Sequence, residues 1–161
     1  MPNDQPTTYN ILFVCTGNTC RSPLAEVITR RALALRGWDH VHVDSAGTSA
    51  VWDAPASAGS LAAAAEIGLD LSGHRSQPLT RELVQRADII LGMTPSHVHA
   101  VEAMGEDAKV SLLSETISGP EAGEPIADPI GGAPQEYAEA RDRISRAVAG
   151  LLERLSAILS P

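Results

Sequence analysis

Apolar residues gather in four short runs, at residues 10–14, 41–44, 88–93 and 109–113, each bounded by polar or turn-forming residues. Runs of that length predict buried strands. Between them the apolar positions recur every three or four residues, which predicts helices. The first helix covers 23–36, with Leu24, Val27, Ile28 and Leu35 on one face, Pro23 in its first turn and Gly37 as its stop. An alanine-rich helix over 57–67 ends at Gly68, a short one over 80–86 opens at Thr80, and Thr94-Pro95 starts another. The last helix, 134–159, carries a core stripe of Ile144, Val148, Leu151, Leu155 and Ile158. Residues 1–9 are polar with two prolines and read as a frayed, disordered tail. Residues 48–55 and 114–127 read as irregular loops. Strands alternating with helices predict a three-layer α/β fold, a four-stranded parallel twisted sheet with helices on both faces, forming one domain over residues 10–161. Such sheets bind ligands beyond the carboxyl ends of their strands.

The first strand runs into such a place. Ile11-Leu12-Phe13-Val14 is followed by Cys15-Thr16-Gly17-Asn18-Thr19-Cys20-Arg21-Ser22-Pro23 and then by the first helical pattern. Gly17 and Asn18 tolerate the positive φ that turns successive N–H groups inward, and the helix start adds the positive end of its dipole. Phosphate, sulfate or vanadate fits such a nest. N–H donors and the cation of Arg21 favour the thiolate of Cys15. Arg21 presents a planar fork to two phosphoryl oxygens, and Ser22 can hydrogen-bond the sulfur or the loop. These parts suit displacement at phosphorus through a phosphocysteine intermediate. No metal or other cofactor is implied, because N–H groups and Arg21 do the work that Mg²⁺ does elsewhere.

Composition narrows the picture. At 161 residues the chain can bury a core without staples, and it holds only two cysteines, too few for a disulfide scaffold or a zinc site. Twelve basic against twenty acidic side chains give a net charge of −8. That excludes broad binding to nucleic acid or anionic membrane, and makes any phosphate site locally positive. The amino terminus has no basic region followed by a long apolar core, and no run approaches membrane-spanning length, so the expectation is a cytoplasmic monomer. His97 and His99, two apart, do not share a helical face and make no metal pair.

The string from Val14 to Pro23, together with the late Asp128-Pro129, resembles the low-molecular-weight protein tyrosine phosphatases, and weaker similarity through Ser45-Ala46-Gly47 and His74 extends over nearly the whole chain. Thr19 and the Gly131-Gly132 pair after Asp128-Pro129 are most like the bacterial protein-arginine phosphatase branch. The resemblance implies Cys15 as nucleophile, Arg21 as phosphate clamp and Asp128 as general acid for the leaving group and then base for the hydrolytic water. It implies a phosphate loop of residues 16–22, that is Thr16, Gly17, Asn18, Thr19, Cys20, Arg21 and Ser22, supported from behind by Ser45 and His74. From the residues alone, Ser45 is equally a turn residue and His74 equally a surface histidine, while Asp128 before Pro129 reads first as a turn residue. Trp52 either walls the pocket mouth, as the family implies, or covers the core. Cys20 either captures oxidised Cys15 as a reversible disulfide or simply packs the loop.

Thr19 is smaller and more polar than the aliphatic residue of tyrosine-directed relatives, and it can accept a hydrogen bond from a guanidinium. Ile130 departs from both branches, which favour an aromatic there, and removes a stacking surface worth about 0.5–1 kcal/mol where exposed. The expected substrates are phosphorylated proteins, phosphoarginine first and phosphotyrosine second. An arsenate reductase and a non-catalytic oxyanion-binding module are the other readings. The first lacks the further cysteines such enzymes use, and the second leaves Cys15 and Asp128 without a role.

Overall fold

The computed structural model describes residues 8–106 and 109–159. Four strands, β1 (Tyr9–Cys15), β2 (Val41–Gly47), β3 (Ile89–Gly92) and β4 (Val110–Leu112), form one sheet in the order β2-β1-β3-β4, with every pairing parallel. Five helices follow the strands: α1 (Arg21–Arg36), α2 (Ala58–Glu66), α3 (Arg81–Arg86), α4 (Pro95–Glu102) and α5 (Pro134–Leu159). β1 is central, paired with β2 from Tyr9–Val41 to Cys15–Gly47 and with β3 from Ile11–Ile89 to Val14–Gly92.

The continuous apolar run of β1 follows from cover on both sides. Ile11, Phe13 and Cys15 share one core with Leu24, Ile28 and Leu33 of α1 and Ile144, Val148 and Leu151 of α5. Leu12 and Val14 face the other way, into a smaller core with Val84 of α3 and Val101 of α4. The expected three-layer architecture is therefore present.

Local signals set several boundaries. Gly37 caps α1 in the left-handed conformation (φ 70°), while Ser57 and Thr80 accept N–H bonds from Ser60 and Leu83 at the starts of α2 and α3. Four expectations need correction. Tyr9 belongs to β1, where its N–H donates to the His40 carbonyl; residues 1–7 of the expected tail lie outside the described residues. Leu35 is 79% exposed, because the buried face of α1 is built from Ser22, Ala25 and Thr29 beside Leu24, Ile28 and Leu33, small residues that no count of hydrophobicity favours. Ile158 is likewise 72% exposed, its place at the end of α5 taken by Leu159. The loop expected from residue 114 begins as a 3₁₀ turn, Leu113–Thr116, whose Thr116 hydroxyl shares its one proton between the Leu113 and Ala147 carbonyls and so fastens the turn to α5.

Candidate active site

At the carboxyl end of β1 the chain turns through residues 16–20 into α1. Asn18 carries the turn. It is fully buried with φ 56°, the left-handed region that asparagine enters more readily than other side chains, whereas Gly17 keeps an ordinary φ. Three hydrogen bonds hold the Asn18 side chain. Nδ2 donates to Ser22 Oγ at 2.8 Å and Ser45 Oγ at 2.9 Å, and Oδ1 accepts the Gln77 N–H at 2.9 Å. His74 Nε2 donates to the Asn18 carbonyl at 2.6 Å. Gly47 of β2 makes room, since a Cβ there would collide with the Thr16 carbonyl and the Asn18 amide.

The same network reaches the sulfur. Ser22 Oγ already accepts from Asn18, so its own proton is free to donate to Cys15 Sγ, 2.9 Å away, where it stabilises negative charge. Arg21 is buried. Its Nη1 donates to the Ile126 carbonyl at 2.9 Å and Nη2 to Thr16 Oγ1 at 3.4 Å, while Nη2 lies 3.6 Å from Asp128 Oδ2. Arg21 Nε is buried without a partner among the described residues, the kind of donor that an oxyanion satisfies. Asp128 is partly exposed, and its Oδ1 accepts the Ile130 N–H at 3.1 Å, a turn that aims the carboxylate back at Arg21. Cys15, Thr16, Gly17, Thr19, Cys20, Arg21, Asp128 and Ile130 together line a cavity of about 120 Å³.

The structure thus gathers the loop, Asp128 and Ile130 around one cavity, and places Ser45 and His74 behind it. Trp52 lies outside that cavity and outside the core. Hydrogen bonds from Asp53 and Ala54 to Ser76, and from Ser76 Oγ to the Val51 carbonyl, tie its loop to the segment after His74. Trp52 is exposed there, beside a separate polar cleft with Asp53, Asp70 and His74. Cys20 is a buried free thiol that donates to Ser57 Oγ at 3.3 Å and packs with Ala63 and Tyr137, whose phenol is pushed up by burial and by the neighbouring thiol. Cys15 is also free. Among the described residues no three His, Cys, Asp or Glu side chains lie close enough to hold a metal.

Sequence reasoning missed Gln77, whose backbone does the work, and His97. His97 is 1% exposed, with Nε2 2.9 Å from Thr16 Oγ1. Burial first, and the Arg21 cation second, lower it from 6.5 to about 4 against the opposing charge of Asp128. A signal was present, because His97 stands three residues after the cap Thr94, where capping boxes carry a reaching side chain.

The chain as a whole is similar to known proteins. Residues 10–159 match the family described as low molecular weight phosphotyrosine protein phosphatase. The chain is 36% identical to the protein-arginine-phosphatase of Bacillus subtilis over 148 residues, 91% of this chain and 96% of that one. It is 35% identical to the low molecular weight protein-tyrosine-phosphatase Etp of Escherichia coli, covering 91% of this chain and 89% of that one. A YwlE arginine phosphatase mutant with a phosphorylated active-site serine superposes with a TM-score of 0.85 at 35% identity, over 92% of this chain and 97% of the other. With a family model matched over residues 10–159 and relatives of this kind covered over most of their length, the chain belongs to the low molecular weight phosphotyrosine protein phosphatase family of cysteine-dependent phosphatases.

Proposed function

We propose that the protein removes phosphate from arginine side chains of proteins. Cys15 Sγ attacks phosphorus, and the S–P bond forms as the P–N bond breaks. Loop N–H groups and Arg21 hold the equatorial oxygens, and Ser22 steadies the sulfur before attack. Asp128 gives its proton to the departing guanidine nitrogen. It then takes one from the water that attacks phosphocysteine, so that phosphate leaves and the thiolate returns.

The observation that carries the arginine assignment is Thr19 on the wall of the small cavity, a hydroxyl able to accept from a guanidinium N–H where an aliphatic side chain could not. Similarity to the Bacillus subtilis protein-arginine-phosphatase over most of both chains supports it. Phosphotyrosine is the second reading, favoured by similarity to Etp. The test is kcat/KM of the purified protein on paired phosphoarginine and phosphotyrosine peptides, with Cys15→Ser as control. Preference for phosphoarginine that vanishes in the control is expected. Preference for phosphotyrosine leaves the chemistry standing and removes Thr19 as selector, and phosphate or vanadate binding without turnover on either peptide leaves an oxyanion-binding module.

A further inference from the structure

The guanidinium of Arg21 leans on the Thr16 hydroxyl oxygen, and that oxygen is itself held from across the sheet. His97 belongs to α4, which packs on the opposite side of the sheet from α1. The Thr94 backbone N–H, which can only donate, lies 3.1 Å from His97 Nδ1. Nδ1 therefore carries the lone pair, and the proton of the neutral ring sits on Nε2. That N–H donates to Thr16 Oγ1 at 2.9 Å, while Arg21 Nη2 donates to the same oxygen at 3.4 Å. The two bonds occupy both lone pairs of the hydroxyl, so Thr16 cannot swing away from Arg21 without giving up His97.

We propose that His97 is a positioning residue for Arg21, acting through the Thr16 hydroxyl oxygen, so that the guanidinium edge bearing the unpartnered Nε is held ready for a phosphoryl group. Nη1 is fixed independently by the Ile126 carbonyl, so losing the Thr16 bond loosens one side of the fork, leaving Nη2 with the Asp128 carboxylate 3.6 Å away, rather than freeing the whole side chain. The role rests on the phosphatase chemistry proposed for this site.

The test is a double-mutant cycle in the full chain, reading kcat/KM on p-nitrophenyl phosphate and the inhibition or dissociation constant of vanadate. Thr16→Val and His97→Leu should each weaken both readings about tenfold, the equivalent of one charge-assisted hydrogen bond. The double variant should be no worse than the weaker single variant, because both break one chain of contacts. His97→Gln, whose amide can donate in the place of Nε2, and Thr16→Ser, which keeps the oxygen, should restore most of the loss. Losses that multiply in the double variant, or equal losses in His97→Leu and His97→Gln, overturn the positioning role. If His97→Leu does not unfold cooperatively, Thr16→Val against Thr16→Ser decides, and equal vanadate constants overturn it. Should the wild-type protein bind vanadate without turnover, the vanadate affinities alone support or overturn the role on the same terms. A wild-type protein that neither binds nor turns over removes the phosphatase chemistry and the positioning role together.

Discussion

Lowering the pH from 7 to 4 should cost the wild-type protein about 3 kcal/mol more stability than it costs a His97→Gln variant. His97 falls from its ordinary 6.5 to about 4, chiefly because the ring is buried and secondarily because Arg21 is near. A lowered value in the folded state means that the unfolded chain takes up the proton first as pH falls. The stabilisation is fully present above 6.5 and is lost progressively down to about 4. At about 1.36 kcal/mol for each pH unit between those values, the loss comes to about 3 kcal/mol, and with the ring 1% exposed little of it is screened. A proton on Nδ1 would also set two donors against each other, the ring N–H and the Thr94 N–H. Urea unfolding of both proteins at pH 7, 5.5 and 4 measures the difference, and the variant cancels every other titrating group. Domains of this size are typically stable by about 5–15 kcal/mol, so the change is large enough to read. A difference that stays constant within about 0.5 kcal/mol across the range would refute the reasoning.

Asn18→Ala removes three side-chain hydrogen bonds and leaves an alanine at φ 56°, and should cost about 2–4 kcal/mol in denaturant unfolding along with most vanadate affinity. Stability within about 0.5 kcal/mol of wild type would show that the loop is not held from that side chain. Asp128→Asn should lower kcat by about 10² to 10⁴ on substrates with poor leaving groups and far less on p-nitrophenyl phosphate, whose leaving group needs little protonation. An equal loss on both would argue that Asp128 acts by holding Arg21. Thr19→Ile should move the ratio of kcat/KM on phosphoarginine and phosphotyrosine peptides toward tyrosine.

The apolar runs and the string from Cys15 to Pro23 were enough to place a parallel α/β sheet and a tight turn from its first strand into a helix, because strand, turn and helix start are contiguous and their hydrogen bonds are local. Caps such as Gly37 and Thr80 were legible for the same reason. The sides of helices were less so. Leu35 and Ile158 look like core by period, yet burial depends on where a neighbouring layer ends, and Ala25 and Thr29 are buried in α1 although neither is a large apolar side chain. Tertiary structure alone decided what surrounds the loop. His97 reaches Thr16 across 81 positions, Gln77 reaches Asn18 across 59, and the Ile126 carbonyl meets Arg21 across 105. It also decided where Trp52 goes, since the bonds between its loop and Ser76 turn that residue toward a different cleft. Contacts of this kind leave no periodicity or spacing in the chain. Each depends on two elements being brought side by side by a sheet whose strand order the sequence does not spell out.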